Sequence, residues 1–283
     1  MYWATQEGAI HRLSLSDGTD KLLLDRSSTG NHMQGIAVDA DGLYFLESGL
    51  YSPLGVATMS LDGTGAPTTL ATTRSLWDIG VSGGYIYYFD YNQQSIMRVP
   101  TKGGTPTALI RDVDPIGMWI ADGYVYFIHP HANVFVYHVL RVRTDMVAPD
   151  PDAGQPSDAG TSAAGVPFGA EEIATTDFGT APVTDSVNVY WGVSENLMFA
   201  PLTGGAAKVL ATEPSGDDIN SIVPAAGSVY WSAFPFIGNC GEVYVSSTAG
   251  ATSTVVPRVA AGLVAVTSSF LYLMGGEVLR VAR

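Results

Sequence analysis

Seven times along this chain an apolar residue leads into an aromatic pair or its near equivalent, and each time a second strand-like segment follows at a similar offset. The copies are Tyr2-Trp3, Tyr44-Phe45, Tyr87-Tyr88, Tyr126-Phe127, Tyr190-Trp191, Tyr230-Trp231 and Tyr272-Leu273. Successive first tyrosines stand 42, 43, 39, 64, 40 and 42 residues apart, by subtraction of those numbers. Self-similarity at such a period means one supersecondary unit copied along the chain, and only the fourth interval departs from it.

The second copy shows what the unit is. Gly35 to Asp39, Gly42 to Glu47, Val56 to Leu61 and Thr68 to Ala71 alternate with period two, and Asp41-Gly42 and Asp62-Gly63 punctuate them. Such alternation marks strands, and Asx-Gly pairs tolerate the positive φ of tight turns. The third segment recurs at Ala9 to Leu15, Ser95 to Thr101, His138 to Thr144, Asn196 to Leu202, Glu242 to Thr248 and Glu277 to Arg283. A four-stranded unit cannot bury both faces alone, so its copies must stack around an axis. The expected fold is all-β, a β-propeller of seven blades with up to four antiparallel strands each.

Counting strands, the first copy lacks its innermost strand and the seventh its outermost. The two partial copies overlap in their middle strands, so they cannot merge into one shared blade. Seven blades therefore fit better than the alternative of six, and upstream sequence is the expected source of the missing strands. Along the third strand, Arg12, Arg98, Arg141 and Arg280 share one position, with Thr58, Phe199 and Tyr244 read as their counterparts. Equivalent placement predicts a stem packed across the neighbouring blade.

In these motifs the chain resembles bacterial propeller repeats of the YWTD, TolB-like and NHL-like groups. Their units read roughly I-A-V-D, Y-W, then I-x-R-x-x-L-x-G-G and a short last strand. The resemblance covers nearly all of the chain except Val147 to Ala170. It implies a fold rather than a chemistry, because those groups include sugar-binding, peptide-binding, scaffold and lyase or hydrolase members. It also implies an extracytoplasmic setting, secreted, periplasmic or surface-anchored, with the export signal absent from this chain.

Composition narrows the partners. With 46% hydrophobic residues, 14% charged residues and 32 glycines, the 283 residues suit a single propeller domain rich in turns. The net charge of −14 disfavours nucleic acid and anionic membrane surfaces. Val259 to Gly276 carries no charge for 18 residues, but Ser268-Ser269 and Gly275-Gly276 fall where the repeat predicts turns, so it reads as strands and not a membrane span. Val147 to Ala170 is a Pro, Asp, Gly, Ser and Ala tract that explains the long interval and reads as a flexible insertion within the fourth repeat. The lone Cys240 lies at a predicted turn and reads as an inert thiol.

Two sets of connections converge on one end of a propeller's sheets: those joining one blade's last strand to the next blade's first, and those between second and third strands. The first set carries Arg26, His32, Arg74, Trp77, Asp78, Asp112, Asp114, Asp177, Asp217, Asp218 and Asn220. The second carries Glu47, Tyr51, Asp90, Tyr91, Asn92, His129, His131, Glu195, Phe234, Phe236 and Asn239. Acidic and aromatic residues therefore gather at one mouth. A divalent cation such as calcium would suit that oxygen-rich setting, although no Asp-x-Asp-x-Asp-Gly loop is present.

Two functions from different classes follow. One is a binding module that captures a glycan, peptide or protein partner through Trp77, Tyr51, Tyr91, Phe234 and Phe236, with Asp78, Asp90 and Asn239 fixing orientation. The other is a metal-assisted lyase or hydrolase at the same mouth. There His129 and His131, two residues apart on an extended segment, would act as base or metal ligands, and His32 would complete the site.

Overall fold

The computed structural model describes all residues except 6, 30, 50–54, 73–77, 131–135, 149–165, 235–240, 248–250, 260–261, 275–277 and 283. It is all-β, and the one helical element among the described residues is a single 3-10 turn, Ser27–Thr29. The strands form seven antiparallel sheets, each built from consecutive strands. The fold is a seven-bladed β-propeller.

The first sheet holds Tyr2–Ala4, Ala9–Leu13 and Asp20–Asp25, and the second Asn31–Val38, Leu43–Gly49, Gly55–Met59 and Thr68–Thr72. The third comprises Ile79–Ser82, Tyr85–Asp90, Ser95–Pro100 and Thr107–Ile110, and the fourth Met118–Ala121, Tyr124–Pro130, Tyr137–Arg143 and Glu171–Thr176. The fifth runs Val183–Thr184, Asn188–Val193, Asn196–Pro201 and Lys208–Thr212, and the sixth Asp218–Ala225, Ser228–Phe234, Gly241–Ser247 and Thr252–Val259. Gly262–Val266, Phe270–Met274 and Val278–Ala282 make the seventh. The apolar run from Val259 thus folds as strands, and no helix among the described residues is long and apolar enough to cross a membrane. The Pro and Asp-rich tract separates the third and fourth strands of the fourth sheet, and its described start is tied by Ala148 N–H to Ala108 O at 3.0 Å.

The chain divides into two compact units, Met1–Val125 with Val142–Ala170, and Tyr126–Arg141 with Glu171–Arg283. In the first, Asn31–Val38, Ile79–Ser82 and Met118–Ala121 lie against one another in succession. In the second, Val183–Thr184, Asp218–Ala225 and Gly262–Val266 do the same. These are first strands of consecutive sheets, the innermost position of a blade. Close approach to a neighbouring first strand needs small residues: a methyl on Gly80, itself on a first strand, would collide with Ile120, and one on Gly192, on the second strand of the fifth sheet, would meet Ile219 Cβ at 2.8 Å.

The repeated aromatic pair explains itself in section. From Tyr44-Phe45 to Tyr272-Leu273 both members are buried, and alternation sends one to each face of its sheet. Removing such a side chain from water contributes about 1.5–3 kcal/mol. The tyrosine's hydroxyl then needs a partner. Tyr44 Oη donates to Asp39 Oδ1 at 3.2 Å, and the same oxygen accepts the N–H groups of Asp41 and Gly42, closing the first hairpin. Asp185, Val187, Asn188 and Tyr190 repeat the device in the fifth sheet. Burial, reinforced by Asp39, pushes the Tyr44 phenol up to about 12.

Of the four third-strand arginines, Arg98 and Arg141 cross to the next sheet, whereas the Arg280 guanidinium lies over the Phe270 ring of its own sheet at 4.6 Å. Arg98 donates to Thr144 O, and Arg141 Nη1 donates to Leu202 O at 3.0 Å. Tyr2 Oη reaches Leu61 O in the equivalent place. Register corrects one counterpart: Arg98 faces Tyr87 and Arg280 faces Tyr272, but Tyr230 faces Val245, whereas Tyr244 faces Trp231. Val245 and not Tyr244 therefore holds the shared position, the fourth residue of Glu242 to Thr248 as Arg280 is of Glu277 to Arg283.

Candidate functional site

Because the strands are antiparallel, the start of each first strand and the end of each second strand share one end of a sheet. In the third sheet Ile79 faces Tyr88, which places Asp78 and Asp90 at that common end. The two carboxylates are held differently. Asp90 is buried and organises the turn after it: Oδ1 accepts from Asn92 N at 3.0 Å and Gln93 N at 3.3 Å, and Oδ2 from Gln93 Nε2 at 3.0 Å. This Asx turn presents Tyr91, which is 54% exposed and packs edge-on against Phe89 at 6.4 Å. The turn is joined to the connection beyond the sheet's last strand by Val113 N–H to Gln94 O at 2.9 Å. Gln94 and Asp112, at the two sides of that bond, both adopt left-handed φ, 44° and 56°.

Asp78 opens the innermost strand of the third sheet, and its Oδ2 accepts from Met118 N at 2.7 Å, the first residue of the innermost strand of the fourth. That is its one hydrogen bond among the described residues. Burial pushes its carboxyl up, with the Met118 bond opposing the shift. The next residue, Trp119, exposes 41% of its surface, and sequence reasoning missed it because Met-Trp-Ile-Ala reads as core. Elsewhere in the first unit Arg26 pairs with Glu47 at 3.1 Å, and His32 is exposed.

In the second unit the acidic residues of the connection Glu213 to Asp217 are occupied. Glu213 Oε2 accepts from Ser215 N at 2.6 Å and Asp217 N at 2.9 Å. Tyr244 Oη lies 2.6 Å from Glu213 Oε1 and 2.7 Å from Glu242 Oε2, sharing its single proton between two carboxylates. Burial and these two bonds push the phenol up, and desolvation followed by Glu213, Asp218 and Glu242 raises Asp217. Phe234 is half-buried opposite Asp218, and Asn220 accepts from Ser232 Oγ at 2.7 Å. His129 is buried within Tyr124–Pro130. Tyr137 and the exposed Phe178 meet edge to face at 5.6 Å.

Among the expected site residues Trp77, Tyr51, His131, Phe236 and Asn239 lie outside the described residues, as do Arg74 and Cys240. No group of three or more His, Cys, Asp and Glu side chains among the described residues is arranged to hold a metal ion. Of the expected residues, Asp78, Asp90 and Tyr91 share the first unit, and His129 and Phe234 the second.

Comparison with solved structures gives the same architecture. The likeness is one of fold alone. A protein in a nidogen and laminin complex superposes with a TM-score of 0.60 at 17% identity, over 90% of this chain and 92% of that one. YCF48, solved bound to a D1 peptide, gives 0.65 at 10% identity over 100% and 89%. The aldose sugar dehydrogenase of Streptomyces coelicolor, in its PQQ-bound form, gives 0.54 at 16% over 82% and 84%. No family model and no curated protein matches the sequence.

Proposed function

We propose that this protein is a binding module, working outside the cytoplasm, that captures a partner at the end of its sheets bearing acidic and aromatic residues. The ligands open to such an end are a glycan, a peptide or a protein, and a peptide or protein segment fits best. The carrying observation is the exposed indole of Trp119 on an innermost strand, one residue beyond the N–H that holds Asp78. Large exposed aromatics offer contact area at small entropic cost, and a carboxylate beside one fixes orientation. Tyr91, exposed at the same end of the neighbouring sheet, extends the surface. Two proteins of similar fold, the one in the nidogen and laminin complex and YCF48 with its D1 peptide, were solved in complexes, which supports the same use here by analogy of fold.

The test is an array of peptides and glycans probed with the wild-type chain and with a Trp119→Ala, Tyr91→Ala double variant. The expected result is a set of peptide ligands lost in the variant. Retention of every ligand by the variant would place binding elsewhere, and hits confined to glycans would overturn the peptide and protein reading.

A further inference from the structure

We propose that Asp78 and Trp119 form a recognition point for a cationic group, the ammonium of a lysine or the guanidinium of an arginine on the captured segment. This rests on the binding-module reading and adds the chemistry of its ligand. An ionised carboxylate can accept about four hydrogen bonds. Asp78 accepts one, at 2.7 Å from Met118 N, and among the described residues no cation pairs with it. One residue along the strand, Trp119 presents its indole to solvent. Indole is the aromatic face that attracts cations best, and the Asp78 carboxylate, held by the N–H of the residue before Trp119, supplies the opposite charge.

The surroundings favour a cation over the alternatives. The connection leading into Met118 carries Arg111, Asp112 and Asp114, and the adjacent turn carries Asp90, so carboxylates outnumber cations there. Arg111, in that connection, buries its Nε without a hydrogen-bond partner. An anionic ligand would be repelled by a chain of net charge −14, and a neutral one would leave a desolvated carboxylate unpaired. Burial already disfavours the ionised form of Asp78, a penalty that an arriving cation relieves. Affinity for a basic group should therefore rise with pH as Asp78 gives up its proton.

The experiment is calorimetric titration, at roughly physiological ionic strength, with a glycine and serine peptide carrying lysines and with its glutamine counterpart. The lysine peptide should bind wild type, the glutamine peptide should bind about tenfold more weakly, and Asp78→Asn and Trp119→Ala should each cost the lysine peptide about tenfold. Equal binding of the lysine peptide by wild type and Asp78→Asn would reduce the effect to net charge and overturn the proposal. A glutamine peptide bound as well as the lysine one, and lost in Trp119→Ala but not in Asp78→Asn, would overturn the cation while leaving the binding module standing. No binding of either peptide would overturn the cation site, with the peptide and glycan array then deciding the broader reading on its own.

Discussion

Asp78 and Glu213 stand at comparable points of two blades, each in the connection from one sheet's last strand to the next sheet's first, yet their carboxylates are used in opposite ways. Glu213 is 3% exposed, and its two oxygens meet three donors: the N–H groups of Ser215 and Asp217 and the hydroxyl of Tyr244. Asp78 meets one donor, Met118 N–H, and the residue after that donor is the exposed Trp119. A buried carboxylate with its acceptor capacity used is a fastener for its loop. One held by a single bond, with its ionised form disfavoured by burial, contributes less to the fold than its chemistry allows, which is where a ligand can add something.

The largest effect expected from this contrast is on the fastener. Glu213→Ala should destabilise the protein by about 2 kcal/mol, because the N–H groups of Ser215 and Asp217 lose their acceptor, while the Tyr244 hydroxyl keeps Glu242. Urea unfolding measures it, and a loss under about 1 kcal/mol would mean that the connection does not depend on this carboxylate. Next in size, Tyr244→Phe should cost about 1 kcal/mol, since the ring keeps its stack on Trp231 at 4.3 Å while the hydroxyl link to Glu213 and Glu242 is lost. A cost as large as that of Glu213→Ala would place the stabilisation in the tyrosine and not in the carboxylate's backbone bonds.

Sequence made the blades legible because their signal is local. Alternation, Asx-Gly turns and the spacing of Tyr44, Tyr87 and their counterparts report on hairpins whose strands are neighbours in the chain, and the strands appear where that pattern puts them. A β-bulge between third and fourth strands, at Ile10/His11, Val56/Ala57, Ile96/Met97, Val139/Leu140, Leu197/Met198 and Val243/Tyr244, recurs at the same place yet leaves no residue signature. The site was legible in part. Asp78, Asp90 and Tyr91 were found from their place in the connections, but that Asp90 is spent on its own turn depends on side-chain geometry. The partner of Asp78 is a backbone N–H 40 residues away, which no local pattern reports. Trp119 escaped because alternation assigns a residue to a face and does not say whether another sheet covers it.

The most direct measurement is the stability of Asp78→Asn against that of wild type across pH. Burial raises the Asp78 carboxyl in the folded state, so its contribution to stability is fully present below the ordinary aspartate range and is lost as pH rises through the raised value. Asparagine keeps an oxygen for Met118 N–H and carries no charge at any pH. The variant should therefore be more stable than wild type near neutrality, by about 1 kcal/mol, and the two urea midpoints should converge as the pH falls below about 4. A variant less stable than wild type near neutrality would show that the Asp78 charge already serves the fold, and would contradict the claim that it is held in reserve for a ligand.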